Sequence, residues 1–175
     1  MITSITLSDK RYPYTESLLT EAFPENERRD IPLQREMIRH NKKFFWNVVL
    51  FQDIPAGLLA FWNLGSFIYI EHFAIDPAKR NHGIGEQTMK EFIRKNKGPF
   101  VLEIEIPDTE ISRRRMLFYE RMGFRLADCP YEQPPYRKTD KSVPMRLMTY
   151  GKLFQRNDFP EIISAIYKNV YLKEE

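Results

Sequence analysis

The stretch that decides the fold is "FIYIEHFAI" (67–75), followed directly by "DPAKRNHGIG" (76–85). The first nine residues are almost continuously apolar, which predicts a strand. The segment after them contains Gly83 and Gly85, and the next ten residues, "EQTMKEFIRK" (86–95), have apolar side chains at helical spacing. A chain with only 7 glycines therefore places two of them between a predicted strand and a predicted helix.

A glycine loop between a strand and a helix points several backbone N–H groups at one place. The first N–H groups of a helix have no partner inside it, and the helix dipole adds positive potential there. Glycine lets a ligand approach the backbone closely, and Arg80 adds charged donors. No Gly-Lys-Ser/Thr follows, as a Walker loop requires, and Thr88 stands where the dinucleotide fingerprint has its third glycine. The segment predicts a phosphate site, and a plain strand–helix turn is the structural alternative.

The remaining elements follow from hydrophobic periodicity and from turn residues on either side of this segment. Before it we expect strands over 2–7, 44–52 and 58–63 and helices over 14–23 and 33–41. After it we expect helices over 84–96, from Asp108 or Thr109 to Met122, and over 159–172; strands over 100–106, 124–129 and 145–150; and a long loop over 130–144. This order predicts an α/β or α+β mixed sheet in a single domain spanning residues 1–175.

Composition limits the class of protein. The 175 residues, 42% of them hydrophobic, suit one core of ordinary size. A net charge of +3 is too small to predict nucleic-acid binding, although it suits an anionic ligand. We expect no membrane span, because no apolar run approaches the roughly 20 residues required, and no signal peptide. The single cysteine, Cys129, cannot form an intramolecular disulfide, which fits a cytoplasmic protein.

Three segments resemble the GNAT superfamily of N-acetyltransferases. "RNHGIG" (80–85) fits the family's acetyl-CoA motif, Arg/Gln-x-x-Gly-x-Gly/Ala, at every fixed position. "FAIDP" (73–77) resembles the strand end that lies along pantetheine, and "FYERMGF" (118–124) resembles the family's Tyr-rich helix end. The predicted order of elements is also similar from end to end. The resemblance implies a mostly antiparallel sheet splayed between its fourth and fifth strands and flanked by helices.

The same resemblance implies the reaction. Acetyl-CoA would be the cosubstrate, and a primary amine on a small molecule or peptide would attack its thioester directly. The alternative is a binding or sensor protein that keeps the CoA site without turnover. The residues implied to contact acetyl-CoA are Phe73, Ile75, Arg80, His82, Gly83, Ile84, Gly85, Glu86, Ser112 and Arg115. Ser112 and Arg115 depart from the family, since many members carry Asn and Ala at those two places.

Tyr119 is the candidate general acid. It stands four residues before Gly123, where the family keeps a tyrosine that protonates the departing thiolate, and it shares a helix face with Ser112 and Arg115. A phenol with a pKa of about 10 can donate to a thiolate of roughly similar basicity. The structural alternative is an ordinary half-buried aromatic residue.

Glu71 is the candidate base. It lies inside an otherwise apolar strand, where a carboxylate is costly unless it is paired or faces a wet pocket. By alternation it shares a face with Phe73 and Ile75. The resemblance implies an ionisable residue here that takes the amine proton, directly or through water. Apolar neighbours should raise its pKa unless a nearby cation offsets them.

Glu103 and Glu105 are the rival candidates, because both lie on one face of "VLEIEI" (101–106). One of them could bind a cationic substrate amine. The structural alternative is that each pairs with an arginine, which "RRR" (113–115) or Arg121 can supply.

Other features complete the predicted site. Tyr131 and Tyr136 lie in "PYEQPPY" (130–136), and the equivalent region of the family commonly walls the acceptor site; a loop packed on its own prolines is the alternative. "ENERR" (25–29) is expected to be solvated, and His72 is expected to be a packed or hydrogen-bonded histidine. No metal site is predicted. The sequence leaves open the acceptor, the length of the acyl group and whether the protein is a homodimer.

Overall fold

Helices and strands follow one another in the predicted order, except for one short additional strand within the loop expected over 130–144. The computed structural model describes residues 1–151 and 154–173. The strands are β1 (Ile2–Ser4), β2 (Phe44–Phe51), β3 (Ile54–Asn63), β4 (Ile68–Ile75), β5 (Phe100–Glu105), β6 (Arg125–Leu126), β7 (Tyr131–Gln133) and β8 (Val143–Tyr150). The helices are α1 (Tyr12–Ala22), α2 (Ile31–His40), α3 (Ile84–Lys95), α4 (Glu110–Arg121) and α5 (Phe159–Val170).

The chain divides into two compact units. Unit 1 comprises Met1–Asn63 and Ile70–Lys97, and unit 2 comprises Leu64–Tyr69 and Gly98–Glu175. The boundary passes through β4, whose first two residues belong to unit 2. A single domain over residues 1–175 stays a prediction.

Unit 1 is a sheet with helices on both faces. Its strand order is β1-β2-β3-β4, with β1 antiparallel to β2 and β2 antiparallel to β3. α1 packs on β3, and the indole N–H of Trp46 donates to Thr15 Oγ1 at 2.9 Å. On the other face, the rings of Phe61 and Phe92 of α3 lie 4.8 Å apart. Covering both faces explains why β2 and β3 are buried almost throughout.

Gly57 allows β3 and β4 to approach closely near the end of β4. A Cβ at this position would lie 2.5 Å from the carbonyl oxygen of Ala74 and 2.9 Å from Ile75 Cδ1. A Cβ atom cannot lie that close to a backbone oxygen. Glycine is therefore required at this position because a side chain does not fit, and not because of a left-handed backbone conformation. This contact fixes the end of β4, from which the glycine loop starts.

Unit 2 holds the second part of the sheet. The N–H of Ile68, at the start of β4, donates to the carbonyl of Pro99 at 2.9 Å, and β4 runs parallel to β5. β8 is antiparallel to β5 and also pairs with β6 and β7. The sheet is therefore open and mixed, as predicted, while splaying between the fourth and fifth strands stays a prediction. Within the described residues, no helix is both long and apolar enough to cross a membrane.

Two predicted boundaries after α4 are wrong. The strand expected over 124–129 is only Arg125–Leu126, and the loop expected over 130–144 contains β7 and the start of β8. Prolines on both sides of "YEQ" suggest a loop, yet Tyr131 pairs with Met145 and Gln133 with Val143. Three residues are too few for alternation to reveal a strand, so the pairing with β8 decides the outcome.

Candidate active site

The glycine loop ends in a helix start that no side chain caps. After β4, Asp76 Oδ1 accepts a hydrogen bond from Ala78 N at 2.9 Å and opens a short 3-10 turn. Asn81 and Gly83 then adopt left-handed backbone conformations, with φ of 67° and 70°. Gly83 is the N-cap of α3, and among the described residues no side chain accepts from the first helical N–H groups. The N–H groups of residues 84–86 therefore lack a helical partner, which is the arrangement that binds anions.

Arg80 is held at the edge of this loop. Its Nε donates to the carbonyl of Ile75 at 3.0 Å, and its side chain is exposed. Within the part of the chain that the structure describes, its two Nη groups have no partner. A guanidinium anchored through Nε presents its remaining donors in a fixed fork, which suits phosphate oxygens.

The other predicted cofactor residues of unit 1 contribute in different ways. His82 and Gly83 are exposed, while the side chain of Ile84 is buried, so Ile84 offers only its backbone N–H. Glu86 is turned toward Lys90, whose Nζ lies 2.6 Å from its carboxylate. Phe73 and Ile75 are half-buried near the end of β4. The uncapped N–H groups of residues 84–86 and the side chain of Arg80 belong to one segment, residues 80–86, which we call the cradle.

Glu71 is buried in an ion pair that the sequence did not reveal. Arg29 Nη1 donates to Glu71 Oε1 at 2.5 Å, and each side chain is only 1% exposed. The indole N–H of Trp62 donates to Glu71 Oε2 at 2.8 Å. The Arg29 guanidinium also lies 5.4 Å from the Trp62 ring centroid and 5.9 Å from that of Phe44. Both carboxylate oxygens are thus engaged, and a cation offsets the cost of burying the charge.

This geometry bears on the proposed base. Arg29 is the nearby cation that a buried carboxylate requires, and solvent hardly reaches the Glu71 side chain. Glu71 can therefore accept a proton from a substrate only if the contact with Arg29 opens. The expectation that "ENERR" (25–29) is solvated is wrong for Arg29, because the carboxylate inside β4 draws this arginine into the interior.

His72 binds the same connector between α1 and α2. Its Nε2 lies 3.1 Å from the carbonyl oxygen of Glu27, and Phe23 contacts its ring edge-on at 4.5 Å. A carbonyl only accepts, so Nε2 carries the hydrogen; Nδ1 is buried without a hydrogen-bond partner in the described chain and lies 3.9 Å from Glu71 Oε2. Burial lowers the pKa of His72, although the Glu71 charge acts in the opposite direction. The histidine is hydrogen-bonded, as predicted.

Tyr119 lies in unit 2, buried between Phe118 and Phe124, whose rings meet its ring edge-on at 5.2 and 5.6 Å. Burial raises the pKa of Tyr119 to about 12, with Arg115 lowering it and Glu105 raising it slightly. None of the residues that the structure describes hydrogen-bonds its hydroxyl. A phenol that stays protonated and keeps its proton uncommitted can serve as a proton donor.

Ser112 and Arg115 have structural partners. Thr109 caps α4, as predicted: Ser112 N donates to Thr109 Oγ1, and Thr109 N donates to Ser112 Oγ, each at 3.0 Å. Arg115 forms an ion pair with Glu105. Glu105 is thus paired with an arginine, which the sequence analysis gave as the alternative to substrate binding. Contacts of Ser112 and Arg115 with the cofactor stay predictions.

Two tyrosine hydroxyls donate hydrogen bonds to Glu103. The hydroxyl of Tyr131 donates to Glu103 Oε1, and that of Tyr171 lies 2.9 Å from Oε2 and 3.1 Å from Oε1. The ring of Tyr136 packs on that of Tyr171 at 4.8 Å. The structure thus brings together three residues predicted to bind the substrate, Glu103, Tyr131 and Tyr136, and adds Tyr171.

Comparisons with known proteins identify the family. A family model for the acetyltransferase (GNAT) domain matches residues 41–126. A GNAT-family protein of known structure from Bacteroides thetaiotaomicron is 38% identical, with a TM-score of 0.96 over 99% of both chains. This chain belongs to the GNAT acetyltransferase family.

Two more distant relatives are acetyltransferases by name, and the second shares the fold. The Bacillus subtilis (strain 168) protein YjbC, an acetyltransferase by name, is 24% identical over 87% of this chain and 79% of its own. A GNAT-family acetyltransferase from Elizabethkingia anophelis, solved with acetyl-CoA bound, is 18% identical. It covers 87% of this chain and 97% of its own with a TM-score of 0.61.

Sequence reasoning missed Arg29, Trp62 and Tyr171. The signal for the first two was Glu71 itself, since a buried carboxylate requires donors, but nothing in the local pattern says which residues supply them. Tyr171 stands near the end of the predicted closing helix. At that position an aromatic residue predicts burial in the core, and nothing in the local sequence indicates a hydrogen bond to Glu103.

Glu71→Gln should lower the free energy of unfolding by about 3–5 kcal/mol, because it leaves the Arg29 charge buried without its partner. Urea unfolding of the two proteins measures the difference. Glu105→Gln is the matched control: its pair with Arg115 is partly exposed, with side chains 42% and 34% accessible, so its loss should stay within about 1 kcal/mol.

The double variant Arg29→Met/Glu71→Leu should recover most of the stability, since it removes both charges. Equal losses for Glu71→Gln and Glu105→Gln would contradict the buried ion pair.

Proposed function

We propose that this GNAT protein is an N-acetyltransferase that moves the acetyl group of acetyl-CoA to a primary amine of a small molecule or peptide. The observation that carries the proposal is the start of α3, where no side chain caps the amides of residues 84–86 and the exposed Arg80 keeps two Nη groups without a partner among the described residues. The relative from Elizabethkingia anophelis, which carries acetyl-CoA, supports the choice of ligand. A cytoplasmic location stays a prediction.

The cradle would hold the pyrophosphate of the cosubstrate. Gly83 and Gly85 keep side chains away from the phosphate oxygens, and the dipole of α3 favours their charge. Phe73 and Ile75 would lie along the pantetheine arm. When bound, acetyl-CoA supplies a thioester carbon at which the amine nitrogen forms a C–N bond while the C–S bond breaks.

Tyr119 would provide the proton that the departing sulfur needs. Its raised pKa keeps the phenol protonated through neutral and alkaline pH, so the donor is present whenever the amine is reactive. The uncommitted hydroxyl supports this role, since no competing acceptor among the described residues has to be given up.

The ammonium form of the acceptor must lose a proton before it can attack. We keep Glu71 as the base, on the condition that Arg29 moves away from it during the reaction. If the ion pair stays closed, Glu71 instead positions the connector between α1 and α2. Glu103 and Glu105 stay the rival candidates: Glu103 accepts hydrogen bonds from two phenols, and Glu105 pairs with Arg115.

Gly85→Val should abolish acetyl-CoA binding, because a β-branched side chain at the second residue of α3 would occupy phosphate space. Calorimetry measures the affinity, and a melting curve shows whether the fold survives. Gln87→Val is the matched control, since it puts the same side chain at an exposed position of the same helix and should bind normally. Unchanged affinity in folded Gly85→Val would rule out the cradle.

Tyr119→Phe removes one hydroxyl and little volume. If that hydroxyl protonates the sulfur, kcat should fall by about 10²–10⁴ while acetyl-CoA affinity hardly changes. Steady-state rates with an amine that the wild type acetylates, together with calorimetry, measure both quantities. If chemistry limits the wild-type rate and kcat of the variant is nevertheless near normal, Tyr119 is not the group that protonates the sulfur.

A further inference from the structure

Asp76 joins the end of β4 to the cradle, and three hydrogen bonds hold it. Its N–H donates to the carbonyl of Ala56 in β3 at 3.0 Å. Its Oδ1 accepts from Ala78 N at 2.9 Å, within the 3-10 turn Pro77–Lys79, and its Oδ2 accepts from the hydroxyl of Tyr14 at 3.0 Å. One residue therefore connects a strand, a turn and a helix of unit 1.

The hydroxyl that reaches Asp76 comes from the first turn of α1, 62 residues earlier in the chain. Thr15, next to Tyr14, is fully buried and accepts from the indole N–H of Trp46, which holds this turn of α1 on the sheet. Burial and then the hydrogen bond to Asp76 raise the pKa of Tyr14, so the phenol stays protonated. The hydrogen bond from Ala78 N, and to a smaller extent that from Tyr14, lower the pKa of Asp76, so the carboxylate stays ionised. The contact is a charge-assisted hydrogen bond.

Lys79 holds the same turn at its other end. Its Nζ lies 3.6 Å from Asp76 Oδ2 and 5.3 Å from the centroid of the Tyr14 ring, and it donates to the carbonyl of Pro55. Arg80 is the next residue, so the conformation of this turn sets the place from which its guanidinium starts. The turn is thus held at both ends by contacts that include Tyr14.

We infer that Tyr14 is a positioning residue for phosphate binding: its hydrogen bond to Asp76 holds the turn Pro77–Lys79, and through it Arg80, in the conformation that binds the phosphates of acetyl-CoA. The inference rests on the proposed function and adds α1 to the elements that set the affinity for the cosubstrate. A binding group that is already held in place loses less conformational entropy on binding than one that the ligand must order. Removing the phenol hydroxyl should therefore weaken binding, although the groups that contact the phosphates are unchanged.

Tyr14→Phe removes one hydroxyl and keeps the ring beside Lys79. Calorimetric titration with CoA should show an affinity about tenfold lower than that of the wild type, the size expected for one hydrogen bond to a charged group. Tyr12→Phe is the matched control. It removes a phenol hydroxyl from the same turn of α1, where the acceptor is Glu16 and not a residue next to the cradle, and it should bind CoA as the wild type does.

A double-mutant cycle separates the positioning of Arg80 from a general effect on the fold. Arg80→Gln removes the guanidinium and should itself weaken CoA binding. If Tyr14 acts through Arg80, adding Tyr14→Phe to Arg80→Gln should change the affinity by less than about twofold, because residues that act through one another are not additive. Melting curves of the three variants show whether each retains the fold.

Three results overturn the inference: wild-type affinity in Tyr14→Phe, an equal loss in Tyr12→Phe, or a full further loss when Tyr14→Phe is added to Arg80→Gln. None of them touches the proposed function. If the wild-type protein does not bind CoA, the proposed function fails, and the inference fails with it.

Discussion

Backbone N–H groups at the start of α3 have no partner in their own helix, and the chemistry of unit 1 follows from that constraint. Most helices satisfy such groups with a Ser, Thr, Asp or Asn side chain at the N-cap. Here Gly83 occupies the N-cap in a left-handed conformation, and Asn81 is left-handed two residues earlier. The donors stay available for a ligand, and the missing Cβ leaves it room. Gly57, which lets β3 approach Ala74, fixes the strand end from which this loop departs.

Three glutamates on the central strands show how burial selects partners. Glu71 is fully buried and pairs with Arg29; Glu105 is partly exposed and pairs with Arg115; Glu103 accepts from the phenols of Tyr131 and Tyr171. An arginine pairs with each of the first two charges, and two phenols donate hydrogen bonds to the third. Burial, rather than position on the strand alone, decides how much each ion pair contributes to the fold.

The sequence predicted most of the helices and strands correctly, and each wrong prediction has a specific physical reason. The apolar run 67–75 and the glycines after it correctly gave β4, the loop and α3, because local pattern decides them. Arg29 was misread because its burial depends on a carboxylate 42 residues away in the chain. β7 was missed because pairing with β8, not its own three residues, makes it a strand. Long-range partners of this kind are invisible to any local pattern.

The most direct measurement of the central claim is the backbone amide spectrum of ¹⁵N-labelled protein during titration with CoA and, separately, with pantetheine, which lacks the phosphates. If the free amides at the start of α3 bind pyrophosphate, the N–H signals of residues 83–86 shift with CoA and stay in place with pantetheine. If CoA binds while these signals do not move, or if pantetheine moves them equally, the cradle does not hold phosphate and the account of unit 1 is wrong.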